Sequence, residues 1–283
     1  VKQLEENLKD KKPVSSKDLL AWSFLSQRNR AQLHRELCRP HLMRHPLFVL
    51  LNHIEPKLIR HLCDNAVEIV VHLQHDIIFA PGCASSETYY IVKGQLRYTQ
   101  EPDTSMVECD TEHAVAAGDW VCEAALWTQW SHVGTLEAMS SSELLVLKAQ
   151  MMAEVVQNVT HARQFTSEFA RGFHARVQAA RPPHADWPSD ISVPYASFQE
   201  VTAGMGDHAR AFAGNLTMQF AAAHLSWTPW HQRLRQDVCS GRSTVVPTTL
   251  SDFQVVNCRV VLYAQRADGC VFVQLGTWDG HAA

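Results

Sequence analysis

Between Asp76 and Leu147 the chain breaks into short apolar runs at tight glycine turns, a pattern that few folds accommodate. The runs DIIFAPG, YYIVKGQLRY, AAGDWVCEAALW and SELLVL are rich in Ile, Val and Tyr, and Pro81-Gly82 and Lys93-Gly94 separate strand-like pieces. β-Branched and aromatic residues suit a pleated, half-buried surface, and glycine-containing pairs let the chain reverse. The segment reads as a compact antiparallel β-roll. Patterning passes from helical to period two near Val67 and back near Ala149, which bounds the roll at about residues 66–148.

Helical patterns flank the roll, so the fold class is α+β. Residues 1–65 read as helices: KQLEENLKDKK is ended by Pro13, and Ser15-Ser16-Lys17-Asp18 offers a cap for DLLAWSFLSQ. In NRAQLHRELCRPHL, Leu33, Leu37 and Leu42 fall near helical spacing and leave Arg30, Arg35 and Glu36 for solvent. Pro46 and Pro56 start the next two elements. After the roll, residues 149–180 read as one or two helices, with Phe165, Phe169 and Phe173 in an aromatic stripe. PPHADWPSD, with three prolines in seven residues, reads as a boundary. Beyond it, GDHARAFAGNLTMQFAAAHL predicts a helix with Asp207 near its start, and NCRVVLYAQRADGCVFVQLGTW predicts a hairpin turning at Ala267-Asp268-Gly269. Residues 190–283 resemble no family and show no evident chemistry.

Composition narrows the function classes. Of 283 residues, 46% are hydrophobic, enough for a real core, and the net charge of −4 argues against a nucleic-acid surface. The 8 cysteines include no CxxC pair and the 16 histidines are scattered, so no metal site is expected and the thiols read as reduced, mostly buried hydrophobes of a reducing compartment. His72 and His75 lack the followers a cupin-type metal oxygenase needs, and no catalytic constellation stands out, so the chain reads as a non-enzyme. No apolar run approaches the roughly 18 to 20 residues of a spanning helix.

The order of motifs in the roll resembles the cyclic nucleotide-binding domain. The helical lead-in LHRELCRPHLMRHPLF before VEIVVHLQHDIIFAPG looks like the C-linker of cyclic nucleotide-gated, hyperpolarisation-activated and ether-à-go-go-type channels. The resemblance covers about residues 1–180. It implies a C-linker-like segment over 1–65, a binding roll with lid helices over 66–180, and an unassigned region over 190–283. It also implies a cytosolic gating module beneath the transmembrane pore of the same polypeptide, on the cytoplasmic face of a membrane. C-linkers of the family commonly self-associate, which implies a homo- or hetero-tetramer with Leu33, Leu37 and Leu42 as candidate contacts. The alternative is a soluble regulator on the same roll, either a kinase regulatory subunit or a transcription factor. PWHQRLRQDV is a poor helix-turn-helix, and no second YIVKG run marks a tandem roll.

For the ligand, the resemblance places Glu123 at the carboxylate that meets the ribose 2′-hydroxyl. Ala124, Ala125 and Leu126 fall in the turn that presents amides to the phosphate, behind Val121 and Cys122. Phe165, Phe169 and Phe173 fall on the lid helix, whose stripe either closes over the purine or simply packs on the roll. Two positions depart from the pattern: Cys122 replaces the usual glycine, and His132 stands where the family carries the phosphate-binding arginine. Imidazole lacks the guanidinium fork and is charged only part of the time near neutrality. Either cAMP or cGMP binds weakly, more tightly at pH 6 than at pH 8, or the domain has abandoned the ligand. No other cofactor is expected.

Overall fold

A computed structural model describes residues 25–206, with 208–210, 212, 213 and 216, and the backbone of 14–15, 243–245, 261–266 and 269–277. The helices expected over 1–11 and in the first part of DLLAWSFLSQ, and Asp207, lie outside the described residues. Helices and antiparallel sheets make an α+β chain that divides into two compact units. The first comprises residues 1–41, 63–152 and 189–192; the second comprises 42–62, 153–188 and 193–283.

The first unit holds the roll. One sheet runs β1 (Val14–Ser15), β2 (Val67–His72), β11 (Ser142–Lys148), β5 (Glu87–Lys93) and β8 (Trp120–Val121). The other runs β3 (Ile77–Phe79), β10 (Thr135–Ala138), β6 (Gln95–Gln100) and β7 (Thr111–Ala116). A short pair, β4 (Ala84–Ser85) and β9 (Trp130–Ser131), lies between them in sequence, and all pairings are antiparallel. Val14 and Ser15 depart from the helical reading of residues 1–65: they pair with Val71 and Val70 as an edge strand, while the residues that would carry the cap lie outside the described ones.

Alternation along the strands builds one core. Val70, Phe79, Ile91, Leu96, Tyr98, Val121, Leu136 and Leu144 pack together, with Ile191 against them. Gly94 turns the chain between β5 and β6 at φ +105°, and a Cβ there would run into Ser142, so only glycine fits.

Helix α1 (Gln27–Leu42) buries a face shifted from the leucine spacing. His34 and Cys38 are buried, whereas Leu33 and Leu37 are 40% and 42% exposed. The reason is polar anchoring: His34 Nε2 lies 2.9 Å from the Val67 carbonyl oxygen, and Arg35 donates twice to Asp64 at 2.6 and 2.8 Å. Arg35 is thus not a free solvent charge, and neither is Arg30, whose Nε donates to the Leu25 carbonyl. Of the described cysteines, Cys38, Cys63 and Cys122 are buried while Cys83 and Cys109 are exposed, so the buried-thiol reading holds for only three of them.

The second unit is mainly helical in its described part. α2 (Pro46–Ile54) and α3 (Pro56–Asn65) each begin on the expected proline, and α3 crosses into the first unit at Cys63. α4 (Ala124–Trp127) belongs to the roll, and α5 (Ala149–Gln157) precedes α6 (Thr160–Ala179). The stripe Phe165, Phe169 and Phe173 on α6 is buried, and its partner is Phe198 of α7 (Phe198–Ala203), 6.5 Å from Phe165 and 5.6 Å from Phe169. Ser197 and Glu200 form a reciprocal capping box at the head of α7. Three tail strands, β12 (Ser243–Val245), β13 (Val261–Arg266) and β14 (Gly269–Thr277), pair antiparallel. No helix among the described residues is long and apolar enough to cross a membrane.

Glu137 on β10 ties the second sheet together across strands. It lies 2.9 Å from His75 Nδ1 and accepts from Arg97 at 2.7 Å, and the His75 and Arg97 hydrogen bonds hold its carboxyl below the usual range. A lowered carboxyl contributes stability that is present above its unfolded value, about 4.3, and lost as pH falls through the folded one. Wild type should therefore melt above Glu137→Gln at pH 6 to 7, and the gap should close below about pH 4. Equal melting temperatures at pH 7 would contradict this role.

Candidate functional site

The site is built by the turn DIIFAPG and the cassette WVCEAALWTQWSHVG closing on a carboxylate from far along the chain. Pro81-Gly82 bends the chain so that Gly82 N donates to the His132 carbonyl, while His132 N donates to the Cys83 carbonyl. The His132 backbone is thereby bracketed, and its ring stacks on Phe79 with centroids 3.8 Å apart and planes 8° from parallel. His132 is 5% exposed. It is a core residue.

The group facing it is Asp190, whose side chain has no exposure. His132 Nδ1 lies 2.9 Å from Asp190 Oδ1, and Trp130 Nε1 donates to the same oxygen at 2.8 Å. Asp190 Oδ2 accepts from Tyr98 Oη at 2.8 Å, from Val133 N at 2.9 Å and from Gly134 N at 3.1 Å. Gly134 allows this close approach, since a Cβ there would sit 2.6 Å from both the Thr99 carbonyl and the Tyr98 hydroxyl. Burial disfavours a charged carboxylate, but the hydrogen bonds from His132, Trp130, Tyr98 and Val133 outweigh it and hold Asp190 below its ordinary range.

Cys122 completes the cluster. Its backbone takes φ +62°, the left-handed region that favours glycine, and it is 1% exposed. Its amide donates to the Asp190 carbonyl at 2.6 Å and its carbonyl accepts from Thr88 Oγ1 at 2.9 Å. Its sulfur lies 3.5 Å from His132 Nδ1 and 3.6 Å from Asp190 Oδ1. Burial, then the Asp190 charge, pushes the Cys122 thiol up, so by itself it stays protonated.

The other cassette residues lie as follows. Val121 is buried and pairs with Tyr89 across the sheet. Glu123 heads α4 half-buried, and its side chain does not cap that helix. Ala124 and Ala125 are buried, and the amides of Ala125 and Leu126 donate within their own turn, to the carbonyls of Cys122 and Glu123. Phe165, Phe169 and Phe173 belong to the second unit. The cassette thus brings Cys122 and His132 together, while the residue that organises them, Asp190, stands at the start of the stretch read as lacking chemistry. Its flank of Ile191 and Val193 after Pro188 is a weak signal of a pinned segment, and no spacing links it to His132, 58 positions earlier.

No protein-family model matches the chain, and no curated protein matches it. Among solved structures it is similar to a cyclic nucleotide-binding-like protein from Brucella abortus, at 22% identity and a TM-score of 0.32 over 36% of this chain and 84% of that one. It is also similar to the sensor domain of the transcriptional regulator DNR from Pseudomonas aeruginosa, at 16% identity and a TM-score of 0.40 over 53% and 97%. A third is the EAL enzyme Bd1971, at 18% identity and a TM-score of 0.33 over 39% and 97%. Similarities of this size say nothing about ligand or activity.

Removing one member of a buried hydrogen-bonded charge cluster costs about 3–5 kcal/mol, because its partners stay buried without an acceptor. Asp190→Ala should lose stability on that scale by urea denaturation. Added formate, small enough to reach the vacated donors, should recover part of the loss, whereas chloride at equal ionic strength should recover less. An Asp190→Ala variant as stable as wild type would show that the cluster holds nothing together.

Proposed function

We propose that the chain is a regulatory module related to the cyclic nucleotide-binding roll, in which the protein's own Asp190 takes the place of the ligand's phosphate. The resemblance in DIIFAPG, YYIVKGQLRY and the cassette supports the roll, and the antiparallel sheets are consistent with it. The observation that carries the reading is the His132–Asp190 contact at 2.9 Å inside a closed cluster. The only cation-capable group at the arginine position already faces a carboxylate. A nucleotide phosphate would have to displace Asp190 from Tyr98, Trp130, Val133 and Gly134 as well, and each hydrogen bond to a charged group is worth about 1.5–3 kcal/mol.

In this reading the module acts mechanically, as the gating region of a cation channel of the C-linker type. Exposed Leu33 and Leu37 on α1 offer apolar contacts for self-association. Calorimetry with cAMP and with cGMP, at pH 6 and at pH 8, should give no saturable heat for either nucleotide. Binding that tightens at pH 6 would mean that His132 is available to a phosphate, and the reading would fail. The channel part has its own test: coding sequence upstream of Val1 should contain apolar spans and a selectivity-filter loop, and a transcript lacking both would remove it.

A further inference from the structure

We propose that Cys122, His132 and Asp190 form a binding site for one zinc-class divalent cation. The sulfur, the Nδ1 nitrogen and the Oδ1 oxygen come from three separate stretches of chain, are all buried, and lie within 4.8 Å of one another. Zinc takes sulfur at about 2.3 Å and nitrogen or oxygen at about 2.0–2.1 Å, so a tetrahedral site has S–N and S–O edges of about 3.5 Å and an N–O edge of about 3.3 Å. The edges here are 3.5 Å, 3.6 Å and 2.9 Å. Two already match, and the third carries a hydrogen bond that opens by about 0.4 Å when a metal replaces the proton.

Two further observations favour a metal over a fortuitous cluster. Cys122 holds a left-handed backbone that costs a non-glycine residue about 1–2 kcal/mol, and the strain places its sulfur against the other two donor atoms. The carboxylate also has the outer partners of a ligating carboxylate: Tyr98, Val133 N and Gly134 N hold Oδ2, and Trp130 donates to Oδ1, which also lies against His132 and Cys122. The Ser85 hydroxyl favours the ionised form of the Cys122 sulfur, against burial and the Asp190 charge.

Charge and protons balance. A dication entering the cluster displaces the thiol proton to solvent, and His132 gives up the proton between Nδ1 and Oδ1 to bind through Nδ1 as the neutral Nε2–H tautomer. Thiolate, neutral imidazole and carboxylate then carry two negative charges against the metal's two positive ones, so the buried cluster is neutral. The metal supplies the charge that lets a deeply buried thiol ionise. Three protein ligands leave a fourth coordination position open. The site does not depend on the nucleotide reading, and calorimetry with nucleotides decides nothing about it.

Cobalt is the probe, because a thiolate ligand gives Co2+ a near-ultraviolet charge-transfer band and a tetrahedral field gives intense visible bands. The full chain is expressed in minimal medium with Co2+ as the added metal, so that burial does not bar entry. One equivalent of cobalt with both signatures is expected. Cys122→Gly, which suits the local backbone and so keeps the fold, should lose the thiolate band and weaken metal affinity at least about a hundredfold in chelator competition. Cys109→Ser, at an exposed thiol, should keep both band and affinity. Folded wild type without a thiolate band, or a band that survives in Cys122→Gly or disappears in Cys109→Ser, overturns the site. Should Cys122→Gly fail to fold, the wild-type spectrum alone decides, because a band without a tetrahedral field, or no band, sinks it.

Discussion

A single buried carboxylate sets the terms for the roll. Asp190 has no solvent exposure, and an ion taken out of water costs several kcal/mol unless its lone pairs are satisfied. Five donors satisfy them: two side chains on β6 and β9, two backbone amides on the stretch entering β10, and His132. No local segment can supply so many, so the carboxylate fixes where β6, β9 and the start of β10 lie relative to one another. The roll's apolar core is non-directional and would tolerate small slips. The hydrogen bonds to Asp190 would not.

Other features of the roll follow from that constraint. Gly134 must lack a Cβ so that its amide reaches Asp190 past Tyr98. Tyr98 must carry its hydroxyl into the core, where it finds Asp190 instead of water, and burial, then the charge of that carboxylate, pushes the phenol pKa up and keeps it protonated. His132 must lie flat on Phe79 to aim Nδ1 inward. Cys122 and His132 therefore face the interior of the first unit, against Asp190.

Much of the roll was legible because its signals are local. Period-two alternation and glycine turns at Gly82 and Gly94 depend on neighbours one to four positions away, and they are there in the sequence. Helix α1 was legible as a helix but not in its facing, because three leucines outvoted His34 and Arg35 on paper. In the fold, the Val67 carbonyl and Asp64, about thirty positions on, chose the histidine and arginine instead. Asp190 and Phe198 were illegible for the same reason. An aspartate after prolines reads as a turn, and a lone phenylalanine reads as nothing, until residues 58 and 33 positions earlier, His132 and Phe165, meet them.

Cys122 and His132 look like two separate losses when the cassette is compared with the family pattern, a missing glycine and a missing arginine. The structure makes them one arrangement. A guanidinium is longer than an imidazole and carries its donors on a fork, and the slot between Phe79 and Asp190 admits a flat ring stacked at 3.8 Å. A glycine at position 122 would relieve the backbone but leave no sulfur against Nδ1 and Oδ1. His132 and Cys122 are both turned toward Asp190, and the three side chains meet in one buried cluster. What the arrangement brings together is thiol, imidazole and carboxylate, with their ligand atoms within 4.8 Å of one another.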